Sequence, residues 1–514
     1  MGGADTRSPV PMMGKETSVL TEGVHAREAV GVACLVAAAL LSRLWLARYA
    51  PLIETDGVQY VAIARRFQQS GSPFDPLFHP FYPLCLAILQ PLVVDYELAG
   101  RLVSALFGTA FLIPAYILVR ALLGPPVATL SVLLLAIHPG LVWSSTAVLS
   151  EATYTFWIVL GVWMGQQALA GTRSGFLGGA GLCFGLAYLA RPEGVIYFVG
   201  LLGLTARVGA RSNRRRELSL WGVAATIGFS MAAAPYLLYL RSRHGYWTLS
   251  GKVLHNLVQD TGLAASAGQT EVGFLLRHAG ETAQRILENA YLFEKYALPD
   301  LFPGVLVLAL LPGLLATPRR SGWGARQGLL LGAALPPFIT LAFHVESRVF
   351  LPVLPFLLPL AAAGVLAAAQ WLAPERRTGR WAVGLAAVLV LGLIPYTVRP
   401  LLRPDAGAAL YRQAARWVVA SQPPDAVIMD RKPFIAFYSG RQFVILPRVS
   451  ADVLALAAKR AHARLVVLDS REFTDRPELF PLLHTQPPPG LELLRDFDAG
   501  PGGRLRILGV QESG

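Results

Sequence analysis

The sequence predicts a polytopic α-helical membrane protein of about eleven spans, followed by a C-terminal extracytoplasmic α/β domain. Three observations carry this prediction. The chain of 514 residues is 54% hydrophobic and 15% charged, and its apolar residues gather in runs long enough to cross a hydrocarbon core of roughly 30 Å. The arginines concentrate in short loops that fall on one side of such a set of spans. From Arg399 onward the long runs give way to the short strand and helix patterns of a soluble domain.

Residues 1–27 are polar and contain Gly and Pro, which predicts a disordered cytoplasmic tail. The first apolar run, 28–49, is too long for a signal-peptide core and lacks a small-residue cleavage pattern, so it reads as a retained anchor whose Arg43 and Arg48 snorkel to the interface. An outer loop over 50–97 holds the Asp56 stretch, the turn His79-Pro80-Phe81-Tyr82-Pro83 and the apolar segment 84–94, which is short enough to suggest a re-entrant or interfacial helix. A second span is expected over 98–119 and two helices over 127–169, joined near 143–146. Residues 176–206 are read as two short helices. A single helix there would bury Arg191 and Glu193 at mid-membrane and put the arginines of 207–216 on the outer side. A span over 218–240, a second outer loop over 241–298 and spans near 300–316, 328–344, 349–371 and 381–398 complete the membrane domain, 28–398. With this count Arg120, Arg173, the 207–216 cluster, Arg319, Arg320, Arg326, Arg376, Arg377 and Arg380 share the cytoplasmic side, and the C-terminus lies outside.

In the domain over 399–514, helical periodicity over 409–420 and 451–461 alternates with strand-like segments at 426–429, 443–446 and 464–468, and a last strand is expected over 505–510. No Gly-rich phosphate motif occurs there. The formal charge of +13 follows from the topogenic arginines, so nucleic acid is not expected as a partner. Cys34, Cys85 and Cys183 sit in apolar segments without metal-type spacing, which indicates neither a disulfide framework nor a zinc site.

The candidate chemistry centres on Ile53 to Gln69. Two carboxylates, Glu54 and Asp56, precede a helical run in which Tyr60, Ile63, Ala64 and Phe67 share one face, while Arg65, Arg66 and Gln69 turn elsewhere. That pattern suits a helix lying on a membrane surface, with Asp56 at the boundary of its apolar face. Desolvation there would raise the proton affinity of Asp56 toward the range of a general base. The alternative is a helix cap, and Glu54 competes for the catalytic role. Glu54, Asp56, His79, Arg101, His138, Glu151, Arg191, Glu193, His344, Glu346 and Arg348 all fall at the outer ends of spans, which suggests a polar cavity opening outward. Arg191, Arg348 and His79 are candidates to hold a phosphate. The plainer reading pairs the two arginines with Glu193 and Glu346 and leaves His79 as a turn residue.

The run Glu54-Thr55-Asp56-Gly57-Val58-Gln59-Tyr60 in a first outer loop, the His79 turn, Ser150-Glu151-Ala152-Thr153-Tyr154, Ala190-Arg191-Pro192-Glu193-Gly194 and Glu346-Ser347-Arg348 ahead of a Leu/Pro-rich span together resemble the GT-C membrane glycosyltransferases. Within these the chain is most similar to the protein mannosyltransferase and aminoarabinose transferase branch. The resemblance covers residues 28–400 and implies an inverting transferase in a bacterial inner membrane. It would move a sugar from a polyprenyl-phosphate donor to an extracytoplasmic lipid, glycan or protein acceptor, with Asp56 as base and Tyr60, Glu151, Glu193 and Glu346 supporting the site. Many relatives carry an adjacent Asp-Glu pair, whereas this chain has Asp56-Gly57 with Glu54 two residues earlier. No cofactor is expected, and no obligatory metal, because arginines can hold a monophosphate leaving group. The rival reading is a transporter or flippase, which would more naturally show internal repeats and helices broken at mid-membrane. A scaffold displaying the C-terminal domain is a third.

Overall fold

The computed structural model describes residues 14–171, 175–211, 215–252, 271–315, 323–373, 378–402, 406–472, 477–500 and 503–511. Arg173, Arg214, Arg319, Arg320, Arg376 and Arg377 of the expected topogenic set lie outside them.

Each segment expected to span is largely helical where it is described, with a break at 302–303 in the 300–316 segment and 3-10 turns at Pro336–Ala342 and Ser347–Val353. The elements are α1 (Gly14–Leu46), α2 (Thr55–Ser70), α3 (Phe81–Leu89), α4 (Tyr96–Ala110), α5 (Leu112–Leu123), α6 (Pro125–Ile137), α7 (Pro139–Ser144), α8 (Glu151–Leu169), α9 (Phe176–Ala190), α10 (Gly194–Arg211), α11 (Arg215–His244), α12 (Glu271–Arg277), α13 (Ala279–Leu292), α14 (Leu298–Leu301), α15 (Gly304–Leu315), α16 (Trp323–Ala334), α17 (Leu354–Leu372) and α18 (Thr378–Leu402). Among the described residues six helices are long and apolar enough to cross alone, and a seventh span arises if the pair bent by 98° at the start of α15 counts as one. Helices such as α6 and α9 are apolar but shorter. The eleven-span count therefore depends on how these short and broken helices are paired.

Two expectations are corrected here. Helix α1 begins at Gly14, so about half of the predicted disordered tail is helical: no proline lies between Gly14 and Leu46 to interrupt the helix. Arg43 does not snorkel. It is fully buried, and its Nη1 donates to the Ala39 carbonyl at 3.1 Å, while Arg48 is exposed as expected.

The membrane core is one cluster in which α5, α6, α8, α9 and α17 interlock. Gly181 of α9 has the carbonyl of Ala225 on α11 only 2.0 Å from where a Cβ would stand. Backbones this close require small residues, the usual route to helix packing in a bilayer.

The C-terminal domain carries α19 (Ala406–Ser421), β1 (Val427–Asp430), α20 (Phe434–Ser439), β2 (Gln442–Ile445), α21 (Leu454–Arg460), β3 (Leu465–Asp469), β4 (Leu491–Asp498) and β5 (Arg504–Val510). The sheet order is β2-β1-β3-β5-β4, with β1 parallel to β2 and β3, and β5 antiparallel to β3 and β4. Helices α19 and α20 cover one face of the sheet and α21 the other. Strand β3 is buried along its whole length, as its unbroken Leu-Val-Val-Leu run requires of a strand covered on both faces. Strand β4 and helix α20 were not foreseen. β4 is an edge strand with only Leu491 and Phe497 buried, so its Leu-Glu-Leu-Leu-Arg-Asp-Phe-Asp run lacks the alternation that marks a half-buried strand.

Candidate active site

Helix α2 begins after Glu54, whose extended backbone (φ −70°, ψ 156°) sets the carbonyl to accept from Val58 N at 3.0 Å. Asp56 thus lies in the first turn, where the helix dipole favours a negative charge. It does not cap the helix. Its Oδ1 accepts from Lys252 Nζ at 3.0 Å and its Oδ2 from Arg348 Nη2 at 3.0 Å. The apolar face of α2 buries Tyr60, Ile63 and Ala64, and Tyr60 and Ala64 pack with Tyr82, Leu86, Val103 and Val148. That face rests on protein rather than on lipid, because α3 and α4 fold back beneath it.

Gly57 faces the chain so closely that a Cβ would lie 2.8 Å from both the Val148 carbonyl oxygen and Ile53 Cγ1. A second acid directly after Asp56 therefore has no room here. The other acid of this loop is Glu54.

From Asp56 an ionic chain runs inward. Arg348 Nη1 lies 3.7 Å from Glu151 Oε1, and its Nε pairs with Glu346. The same Glu151 oxygen accepts from Arg191 Nη1 at 3.0 Å, and Arg191 Nη2 reaches Glu193 at 3.3 Å. Glu151 is only 1% exposed, and the two guanidinium groups beside it supply the ion pairing that a buried carboxylate needs. Tyr60 Oη sits 3.2 Å from Ser150 Oγ, tying α2 to the start of α8. Both expected pairings, Arg191 with Glu193 and Arg348 with Glu346, are present, and each arginine additionally joins a carboxylate distant in sequence.

Two cavities meet at Asp56. The larger, 1170 Å³, is lined by Glu54, Trp143, Asp300, Tyr396, Lys432 and others; the smaller, 350 Å³, by His79, Arg191, Phe78, Ile196 and Phe343 among others. Asp56, Lys252, His344 and Arg348 line both.

The electrostatics differ from the expectation. Burial, the largest single influence on Asp56, would raise its pKa, but Lys252 and Arg348 together outweigh it and hold the carboxyl at about 2. Glu54 goes the other way: burial raises its pKa, Arg348 opposes, and Glu151 and Asp56 add to the rise. Burial lowers His79 to about 4, so at neutral pH its ring, set edge-on to Tyr188 and Tyr236, offers a hydrogen bond rather than a charge.

The structure thus gathers Glu54, Asp56, Tyr60, His79, Glu151, Arg191, Glu193, Glu346 and Arg348 in one region. Two other outer-end groups serve elsewhere. Arg101 binds backbone carbonyls ahead of α2, and the buried His138 meets the Leu301 carbonyl through Nε2 at 2.8 Å. Sequence reasoning missed Lys252, which falls in a stretch of unremarkable mixed charge after α11, and Lys432, which reaches the larger cavity from the C-terminal domain. Only an unanswered negative charge at Asp56 hints at the first, and nothing local marks the second. Among the described residues no group of three or more His, Cys, Asp or Glu converges as a metal site would.

Residues 75–239 match a family model described as dolichyl-phosphate-mannose-protein mannosyltransferase. That stretch is about a third of the chain; it holds His79, Glu151, Arg191, Glu193 and Lys-free helices up to α11, and leaves Glu54, Asp56 and Arg348 outside. Among solved structures the chain is similar to ArnT from Cupriavidus metallidurans in the apo state, with a TM-score of 0.56 and 14% identity over 94% of this chain and 98% of that one. The same protein bound to undecaprenyl phosphate gives 0.55 and 15% over 93% and 98%. An oligosaccharyltransferase from Archaeoglobus fulgidus, in complex with Zn and sulfate, gives 0.57 and 15% over 85% of this chain and 68% of that one. Identities this low establish a shared fold. Among curated proteins none matches the chain by sequence.

Proposed function

We propose that this chain, a membrane glycosyltransferase of the GT-C class, moves a sugar from a polyprenyl-phosphate donor to an acceptor on the extracytoplasmic face of a bacterial inner membrane. The observation that carries the reading is Asp56 on the wall shared by two cavities, with one cation on each of its oxygens. The cations and apolar wall of the smaller cavity suit a phosphate carried on a hydrocarbon chain, and ArnT, which shares this fold, has been solved bound to undecaprenyl phosphate. The acceptor takes the larger cavity.

The reaction is a single displacement. The acceptor's oxygen or nitrogen bonds to the anomeric carbon, the bond from that carbon to the phosphate oxygen breaks with its electron pair going to phosphate, and the acceptor's proton passes to a carboxylate. Asp56 paired to Lys252 and Arg348 is a weak base. A donor phosphate competes for those two cations, and as they turn toward the leaving group the Asp56 carboxylate regains the basicity that its burial confers. Lys252 and Arg348 thereby stabilise charge that grows on the phosphate as the bond breaks. Arg191 contributes from the far wall of the smaller cavity and Glu151 holds both arginines in place.

A second reading has an observation in its favour: Glu54 has the raised pKa and lines the acceptor cavity, so it can be the base while Asp56 positions the cations. Transfer of radiolabelled sugar from polyprenyl-phosphate donors into a membrane extract separates the two. Asp56→Asn is expected to cut transfer by roughly 10²–10⁴-fold while donor binding persists. Near-normal activity in that variant, with loss in Glu54→Gln, moves the role to Glu54. Activity in both ends the proposal.

A further inference from the structure

We infer that the C-terminal domain positions the catalytic loop: Tyr438 and Arg412 of that domain, with Arg101 of α4, hold the backbone of residues 47–53 so that Glu54 and Asp56 face the cavities. The inference rests on the carboxylate reading above and adds residues that touch neither substrate.

The lead-in to α2 runs without regular structure from Ala50 to Glu54, so its backbone groups need partners from elsewhere. They find them on two opposing sides. From the membrane domain, Arg101 Nη1 donates to the carbonyls of Ala47 at 2.5 Å and Ala50 at 3.3 Å, and Nη2 to Ala50 at 3.2 Å. From the C-terminal domain, Arg412 on α19 donates to the Pro51 carbonyl through Nη2 at 3.2 Å, and Tyr438 on α20 accepts from Ile53 N at 2.9 Å.

The two sides are joined to each other. Glu97 pairs with Arg101 and lies 3.7 Å from Arg412 Nη2. Arg412 stacks over the Tyr438 ring at 4.4 Å and donates to its hydroxyl at 3.4 Å. Ile53 is 1% exposed, in a cluster that draws partly buried Phe434, Phe437 and Tyr438 from the domain against Tyr60 and Val61 of α2. Ile53 also backs Gly57, so a shift of the lead-in is transmitted to the first turn of α2.

Only Ile53 separates the Pro51–Leu52 segment from Glu54, and Asp56 follows two residues later. A hydrogen bond lost at Ile53 N therefore acts within one helical turn of the reacting carboxylates. Misplacement of a catalytic group by about 1 Å costs on the order of 10²-fold in rate. Losing one anchor of several should cost less.

The test uses the full-length protein in detergent or nanodiscs with Tyr438→Phe, Arg412→Gln and Arg412→Lys. Tyr438→Phe keeps the ring and removes the acceptor for Ile53 N. The expected result is a kcat lower by roughly tenfold with donor KM changed less than about twofold, and unchanged thermal unfolding. Arg412→Gln behaves alike, Arg412→Lys recovers most of the loss because it keeps a donor for Pro51, and the double variant loses less than the product of the singles. The acid limb of kcat/KM also moves, since the proton affinity of Glu54 depends on its place beside Arg348, and a purely structural role would not shift it. Unchanged kcat in both Tyr438→Phe and Arg412→Gln overturns the inference. Asp56→Asn and Glu54→Gln run in parallel: if those two retain activity it is the carboxylate reading that fails, and if they lose it while the domain variants do not, only the positioning role falls.

Discussion

The two cavities that meet at Asp56 share four residues and differ in the rest of their walls. The smaller adds Arg191 to Lys252 and Arg348 and is otherwise mostly apolar, with Phe78, Ile196, Ile339 and Phe343. The larger adds three carboxylates, Glu54, Asp300 and Glu346, against one further cation, Lys432, and the aromatic edges of Trp143 and Tyr396. Cations against an apolar wall suit a phosphate carried on a hydrocarbon chain, whereas carboxylates in a wide chamber suit a partner with hydroxyl or amino groups to give. One acid, Asp56, thus faces two chemistries, and the two cations that hold it stand with it on the wall the two cavities share.

The largest effect expected from this asymmetry is at Arg348, which touches Asp56, Glu151 and Glu346 at once. Arg348→Met removes the common partner and leaves a 1% exposed Glu151 with Arg191 alone. Glu151 and Asp56 each keep one cation, so a modest loss of thermal stability should accompany a transfer rate down by about 10²–10³-fold. Lys252→Met should share the kinetic loss with little change in stability, since its ammonium is more exposed. Equal binding of polyprenyl phosphate to wild type and both variants would show that the two cations serve some other end.

A smaller effect separates the cavities from each other. Ile196→Trp fills space in the smaller one and should raise donor KM by roughly tenfold with acceptor KM unchanged. Trp143→Ala opens the larger one and should raise acceptor KM alone. The reverse pattern would exchange the assignments of donor and acceptor.

How far the sequence reaches is visible in these residues. Arg191, Glu193, Glu346 and Arg348 were legible because charges at membrane depth are rare and costly, so each stands out against an apolar background. The two-helix reading of 176–206 rested on the same cost, and the break at Arg191 between α9 and α10 agrees with it. Lys252 was not legible, because a lysine in a polar loop costs nothing and carries no mark; only the fold brings it 196 residues back to Asp56. The environment of Asp56 was misjudged for the same reason. A face of Tyr60, Ile63 and Ala64 has the same period whether it meets lipid or α3 and α4, and periodicity names no partner. In the C-terminal domain β1, β2, β3 and β5 lie where short apolar, β-branched runs predicted strands, whereas β4, whose Leu-Glu-Leu-Leu-Arg-Asp-Phe-Asp run has neither an apolar block nor alternation, was missed.

The smallest effect is in the pH dependence, and it distinguishes the two carboxylates most directly. Asp56 has a folded-state pKa depressed from 3.8 to about 2. The stability from its ion pairs is therefore present above pH 3.8 and is lost only as pH falls through about 2. It cannot set an acid limb in the free enzyme near neutrality. Glu54, with its pKa raised first by burial, takes up a proton at higher pH than an ordinary glutamate. If Glu54 must be ionised to receive or orient the acceptor, kcat/KM falls as pH drops through that raised value, because this ratio reports on the free enzyme. Glu54→Gln should erase the limb from the residual activity, and Lys252→Met, which frees one oxygen of Asp56, should introduce a second limb from below. A profile for Glu54→Gln that superimposes on wild type would assign the limb to another group and leave the larger cavity's carboxylates a binding role only.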